Sequence, residues 1–287
     1  MSKRILGLWN FGDDSFHKKL SPKGAKALIK SAIKGGITTF DTAFSYKEAD
    51  SILSSSIKEM RKDISSVEII SKVMPVPTLE KKVDITFRRL NRDYIDILLL
   101  HWPSDISSVY NSLKKLEMLK ERNKARAIGV SNFPLSMLRK AALDFAIEYH
   151  ERPLSLIWNK EWKEEKELKL KTLSYAPLGM GLLTGRYKTK ESLNDKRKEL
   201  YVWNSEAFPS LLSYMKSLEH REAETALSWV YSERPYGIIQ GASSISDLAL
   251  EPYKLSKDVK AKLDEFALSI TSSSNSDNIF SHNYGKV

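Results

Sequence analysis

The sequence predicts a single-domain α/β protein built as a (β/α)8 TIM barrel. Strand-like and helix-like segments alternate along nearly the whole chain, with no break in composition to mark a second domain. Four successive apolar runs end on polar residues, Asp41, Lys72, His101 and Ser131. These recur roughly every 30 residues, the length of one βα unit. Right-handed crossovers make successive strands parallel neighbours. Eight units close a barrel whose sites lie at the C-terminal ends of the strands. An open doubly wound sheet is the alternative. The barrel is expected over residues 1–270 and a C-terminal tail or flap over 271–287.

Each element has its own signal. Ile5 to Phe11 reads as a first strand containing Gly7. A helix follows, with Ser21 as cap and Pro22 at its first position. Ala25, Leu28, Ile29, Ala32 and Ile33 keep the helical stripe until Gly35-Gly36. The next strand stops at Asp41; Tyr46 lies just beyond it, before a helix marked by Ile52, Leu53, Ile57 and Met60. Val67–Val73 is a strand, and Val83, Phe87 and Leu90 mark its helix. Tyr94–Leu100 is a strand ending at His101-Trp102-Pro103, followed by a helix through Val109, Leu113, Leu116 and Leu119. Ala125–Val130 ends at Ser131-Asn132, and Pro134 opens a helix through Leu138, Ala141 and Phe145. Leu154–Trp158, Leu173–Leu178 and Tyr236–Gln240 read as the sixth, seventh and eighth strands. The polar stretch 185–205, with Tyr201 and Trp203, reads as a long loop near the mouth.

Composition narrows the class. The chain of 287 residues has no cysteine, so disulfide and thiolate chemistry are excluded and a cytoplasmic setting is the default. Its 41% hydrophobic and 29% charged content is that of a globular protein. The apolar run at the N-terminus is too short for a signal peptide. The formal charge is +10, but acids and bases are interspersed, as in KEWKEEKELKLK from Lys160. That pattern fits a solvated, lysine-rich surface better than a nucleic-acid interface. It also favours an anionic cofactor or substrate. The five histidines show no metal-ligand spacing.

In a barrel, Asp41, Tyr46, Lys72 and His101 converge at one mouth. A tyrosine works as a general acid when a neighbouring ammonium lowers its pKa from about 10. Lys72 can supply that charge, Asp41 can hold it, and His101 can donate a hydrogen bond to a substrate oxygen. Such a set protonates an oxygen as negative charge develops on it. Singly, each residue also has an ordinary explanation: a helix cap, a packing tyrosine, a solvated strand end, a structural histidine.

In this order, FDTAFSY, the lysine of IISKV, LLLHWP, AIGVSNF, YAPLGMGLLTG and IIQGASS resemble the aldo-keto reductase family, from about Ile5 to about Ile270. The resemblance implies a barrel that binds NADPH or NADH without a Rossmann domain and reduces an aldehyde or ketone by hydride transfer. It implies Tyr46 as general acid, Lys72 and Asp41 as its tuning pair, and His101 as the residue orienting the carbonyl. Ser131 and Asn132 would hold the nicotinamide carboxamide, and Tyr175 would stack on the ring. Pro177, Leu178 and Gly179 would approach the dinucleotide, with Gly241, Ser243 and Ser244 on its far side. Gly179–Gly185 approaches the dinucleotide glycine fingerprint, but its third glycine is one residue late. Trp9 and Trp102 either line the substrate pocket or close the rim.

Two departures bear on the cofactor. Many members carry a glutamine at the end of the sixth strand, whereas 154–160 has none and Asn159 is the substitute on offer. Members preferring NADPH place basic residues after the eighth strand, whereas 241–251 reads GASSISDLALE. Arg186, Lys188 or Lys254 would have to reach that loop from elsewhere. The competing function is a nucleotide-binding regulatory protein with little turnover, and the complete tetrad favours the enzyme. A small carbonyl compound, rather than nucleic acid or membrane, is the expected partner.

Overall fold

In the computed structural model, which describes residues 2–12, 19–75 and 77–272, eight parallel strands form one closed barrel in the order β1 to β8. Strand β1 is Lys3–Gly7 and pairs with both β2 (Thr39–Asp41) and β8 (Gly237–Gly241), closing the cylinder. Between them run β3 (Glu68–Val73), β4 (Ile95–Leu100), β5 (Ala125–Ser131), β6 (Tyr149–Pro153) and β7 (Lys171–Tyr175).

The helices alternate with the strands. The first is a single turn, α1 (Trp9–Gly12), where the sequence suggested the strand would continue to Phe11. Helix α2 (Pro22–Lys34) begins as expected, with the Ser21 hydroxyl accepting from Gly24 N at 3.2 Å. Then come α3 (Ala49–Glu59), α4 (Leu79–Leu90), α5 (Ile106–Glu121) and α6 (Leu135–Asp144). They bury most of the apolar positions that mark them in the sequence, such as Val109, Leu113, Leu116 and Leu119 of α5, whereas Ile33 of α2 is half-buried, and so is Met60, one residue past α3. A short α7 (Trp162–Lys166) follows β6. Helices α8 (Ala207–Ser217) and α9 (Glu222–Ser232) precede β8, and α10 (Lys257–Ser272) ends the described chain. Residues 271 and 272 therefore belong to a helix, and the rest of the expected tail or flap lies outside the described residues.

Strand alternation separates two kinds of core. Ile5, Ile70, Ile97, Leu99, Tyr149, Leu173 and Ile239 fill the barrel interior. The opposite faces, including Leu98, Leu100, Ile128 and Val130, pack against the helices. The interior is solid below the C-terminal rim, so the polar strand ends stand on a rigid floor.

The sixth strand corrects the sequence reading. It is Tyr149–Pro153, not Leu154–Trp158. YHERP looks like surface because it is polar. Its outward residues instead meet a buried acid: Glu165 of α7 accepts from Arg152 Nη1 at 2.7 Å and lies 2.8 Å from His150 Nδ1. Its contacts with His150 and Arg152 hold Glu165 down at about 2, against the burial that would raise it. The apolar Leu154–Trp158 run is a turn closed by a Ser155–Trp158 bridge. It is apolar because Met180, Leu182, Leu183, Val202 and Phe208 cover it. The 185–205 stretch adds to this cover as a chain of short 3-10 turns, with the Tyr201 hydroxyl on Ile157 O and Arg197 Nη1 on Met180 O at 2.8 Å. Strand β7 also ends earlier than expected, at Tyr175.

Candidate functional site

The C-terminal ends of β2, β3, β4 and β6 deliver four ionisable groups to one place. Asp41 is the last residue of β2, and its Oδ2 accepts from Lys72 Nζ of β3 at 2.5 Å. Lys72 also donates to Thr42 O at 3.1 Å and lies 3.3 Å from Glu151 Oε1. An ammonium has three donors, and three acceptors surround this one. Its side chain is fully buried. Burial alone would strip its proton, but the Asp41 and Glu151 carboxylates outweigh burial and hold its pKa above the ordinary lysine value.

Tyr46 stands on the turn after β2, which three contacts fix. Thr42 Oγ1 donates to buried Asp50 at 2.7 Å, and Arg89 Nη1 of α4 donates to Phe44 O at 3.0 Å. From below, Gly12 of α1 lies so close that a Cβ there would fall 1.7 Å from Tyr46 O. The Tyr46 ring centre is 5.4 Å from Lys72 Nζ and 5.7 Å from the His101 ring, which it meets edge-on. One expectation is corrected here. Burial pushes the Tyr46 phenol up, and Asp41 and Glu151 add to that; the pull of Lys72 only partly offsets them. The phenol therefore keeps its proton across the neutral range and is a donor rather than a standing phenolate.

His101 follows β4, with its backbone N on Val73 O at 2.8 Å and its ring stacked on Trp102. Burial, together with the Lys72 charge, holds it well below the ordinary histidine value, so it is neutral at neutral pH. Asn132, at φ 62°, donates from Nδ2 to His101 O at 3.1 Å and to Ser131 Oγ at 2.9 Å. It accepts from the Tyr175 hydroxyl at 2.6 Å. Ser131, Asn132 and Tyr175 thus form one hydrogen-bonded wall beside the tetrad. Trp9 and Trp102 are half-buried and pack against the cover over the Leu154–Trp158 turn.

The loop after β7 holds Pro177, Leu178 and Gly179. Gly179 takes φ 57°, and a Cβ there would meet Ile157 Cδ1 at 2.7 Å. The amides of Gly179, Gly181, Leu182 and Leu183 all bond within this loop rather than facing outward. After β8, Gly241 ends the strand, and the amides of Ser243 and Ser244 donate to Asp247 Oδ2 at 2.8 and 3.0 Å. Arg186 donates to Asp247 Oδ1 at 2.8 Å. A cation does reach the loop that lacks one of its own, but an internal acid already holds it. Despite burial, these donors lower the Asp247 pKa.

Sequence reasoning missed Glu151, the pairing of Arg186 with Asp247, and the seat of Tyr46 on Gly12. Asn159, offered in place of a strand-end glutamine, lies beyond β6 and braces the turn through Ser155 O and Leu156 O, both at 3.4 Å. The inward-facing polar residue of β6 is Glu151. A separate surface groove lined by Trp162, Lys171, Glu233 and Tyr236 lies at the opposite end of β7 and β8 and shares no residue with this cluster.

Comparison with known proteins identifies the family. The Aldo/keto reductase family model matches residues 4–266. Aldo-keto reductase YhdN of Bacillus subtilis is 28% identical over 200 residues, covering 63% of this chain and 60% of that protein. A 6-dehydroglucose reductase of Agrobacterium fabrum is 27% identical over 216 residues, 65% of this chain and 71% of the relative. An aldo-keto reductase from Klebsiella pneumoniae, solved in complex with NADPH, superposes with a TM-score of 0.71 at 21% identity, over 96% of this chain and 93% of that one. A closed eight-stranded barrel with these strand ends, matched over nearly its whole length, belongs to the aldo/keto reductase family.

Proposed function

We propose that this protein reduces an aldehyde or ketone to an alcohol with a reduced nicotinamide nucleotide, and that Tyr46 donates the proton. The observation that carries this reading is the convergence of Asp41, Tyr46, Lys72 and His101 at one barrel mouth, with Lys72 buried and fully engaged. Tyr46 holds its proton until negative charge grows on a substrate oxygen nearby. Lys72 then stabilises the phenolate left behind, and Asp41 keeps the ammonium in place and charged. Neutral His101 can donate one N–H to the same oxygen and orient it.

The nicotinamide end of the cofactor fits the wall of Ser131, Asn132 and Tyr175, which offers amide and hydroxyl groups beside the orphaned Glu151 Oε2. When bound, the nucleotide would supply the hydride. At the other end, a 2′-phosphate would find one guanidinium, Arg186, already balanced by Asp247. That arrangement supports weak discrimination between NADPH and NADH.

The test is a panel of small aldehydes, ketones and sugar-derived carbonyl compounds with each nucleotide, followed by loss of absorbance of the reduced cofactor. Turnover of at least one is expected. Tight nucleotide binding with no turnover of any would favour the regulatory protein instead.

A further inference from the structure

Glu151 has no place in the mechanism above, yet it sits against its centre. In register, it pairs with Ser131 of β5 and Leu173 of β7, and its carbonyl accepts from Asn132 N at 2.9 Å. One carboxylate oxygen is 3.3 Å from Lys72 Nζ; the other is buried without a hydrogen-bond partner. The side chain is 4% exposed, too little for water to compensate a full charge.

Asp41 and Glu151 both ionised against one Lys72 would leave a net negative charge in a desolvated cluster. Asp41 faces Glu151 from β2, Lys72 from β3, Tyr46 from the turn after β2 and Tyr175 from β7. His101 meets the cluster through Lys72. On its own strand, His150 and Arg152 turn outward to Glu165. No second cation among these faces Glu151. Burial and then repulsion from Asp41 push its pKa well up, against the attraction of Lys72. Asp41 and Glu151 both flank Lys72 Nζ, at 2.5 and 3.3 Å, and one proton on the pair makes the cluster neutral.

We infer that Glu151 is a cofactor-selecting residue that senses the oxidation state of the nicotinamide ring. As a neutral acid it leaves the site suited to the uncharged reduced ring; as a carboxylate it gives the site a net negative charge that favours the cationic oxidised ring. The inference rests on the reading of this mouth as a nicotinamide site. Loss of the Glu151 proton and tight binding of the oxidised nucleotide must then promote each other, by linkage. Only the O–H bond of the Glu151 acid breaks, and its proton passes to solvent.

The test measures dissociation constants of NADPH and NADP+, and of NADH and NAD+, by fluorescence titration across the range from mildly acidic to mildly alkaline. In the unaltered protein, the oxidised form should gain on the reduced form by roughly tenfold as pH rises, within the usual span of coupled sites. In Glu151→Gln, which keeps the shape but cannot ionise, the ratio should be flat; in Glu151→Asp the dependence should persist. A flat ratio in the unaltered protein, or an unchanged slope in Glu151→Gln, overturns the inference while leaving carbonyl reduction standing. If no nucleotide binds at all, the parent reading fails and takes this one with it. The unaltered protein alone decides the first point, so a variant that fails to fold does not shelter the idea.

Discussion

Replacing Lys72 by methionine removes the only ammonium from a cluster with two buried carboxylates. At 2.5 Å from Asp41 its attraction amounts to about 7 kcal/mol in an effective dielectric of about 20, and at 3.3 Å from Glu151 to about 5 kcal/mol where that carboxyl is ionised. Most of that is set against the desolvation of the ions, and breaking a buried pair typically costs about 3–5 kcal/mol. The cost should depend on pH. Without Lys72, both carboxyls keep the raising effects of burial and of each other and lose the ammonium that opposes them. A folded-state pKa above the unfolded value means stability is retained at low pH and lost as pH rises through the folded value. Urea unfolding followed by tryptophan fluorescence should therefore show Lys72→Met destabilised by about 3–5 kcal/mol near pH 8 and by clearly less near pH 5. An equal loss at both values, or none, would refute the reasoning that these three groups form one buried ionic unit.

Three further outcomes are expected. Gly12→Ala drives a methyl into the Tyr46 carbonyl, which is backbone and cannot swing aside, so turnover should fall by about 10²-fold with nucleotide affinity retained; near-normal turnover would contradict the close approach. Asp50, buried with one oxygen unpartnered, has its pKa pushed up to about 6 from 3.8 by burial, an effect that the Thr42 hydrogen bond and the Arg89 and Lys72 charges only partly offset. Its ionisation costs up to about 3 kcal/mol, building up as pH rises from 3.8 through about 6, so Asp50→Asn should raise the melting temperature most near pH 8, by clearly less near pH 5, and not at all below pH 3.8. Arg186→Ala should weaken NADPH by a few-fold and leave NADH nearly unchanged, and dissociation constants at two salt concentrations would check it; equal effects on both would show that Arg186 serves only Asp247.

The barrel was legible because its strands are apolar runs that stop at polar residues, and because α2 to α6 carry complete apolar stripes. Three of the four mouth residues were legible for the same reason, since Asp41, Lys72 and His101 stand at the ends of such runs; Tyr46 lies on the turn that follows Asp41. Strand β6 was not legible, because its outward face is satisfied by an ion pair with Glu165 rather than by apolar packing, and that partner lies on another element. Misplacing β6 by five residues hid Glu151 and left Asn159 as the substitute. The one available signal was an acid in a polar run directly before a proline and a strongly apolar turn. The Arg186–Asp247 contact and the seat of Tyr46 on Gly12 were beyond reach because both depend on how loops from distant strands pack. The direction of the Tyr46 shift also had to come from the fold, since it turns on how fully the site is buried and on a second carboxylate.

The central claim is that Tyr46 gives its proton to the substrate oxygen. The most direct measurement is a single turnover of bound reduced nucleotide by an excess of the best carbonyl compound, compared between the unaltered protein and Tyr46→Phe, with the nucleotide dissociation constant measured alongside. The variant keeps the ring against His101 and Lys72 but has no proton to give. The account predicts oxidation slowed by about 10²–10⁴-fold with nucleotide affinity nearly unchanged; oxidation at close to the unaltered rate would contradict it.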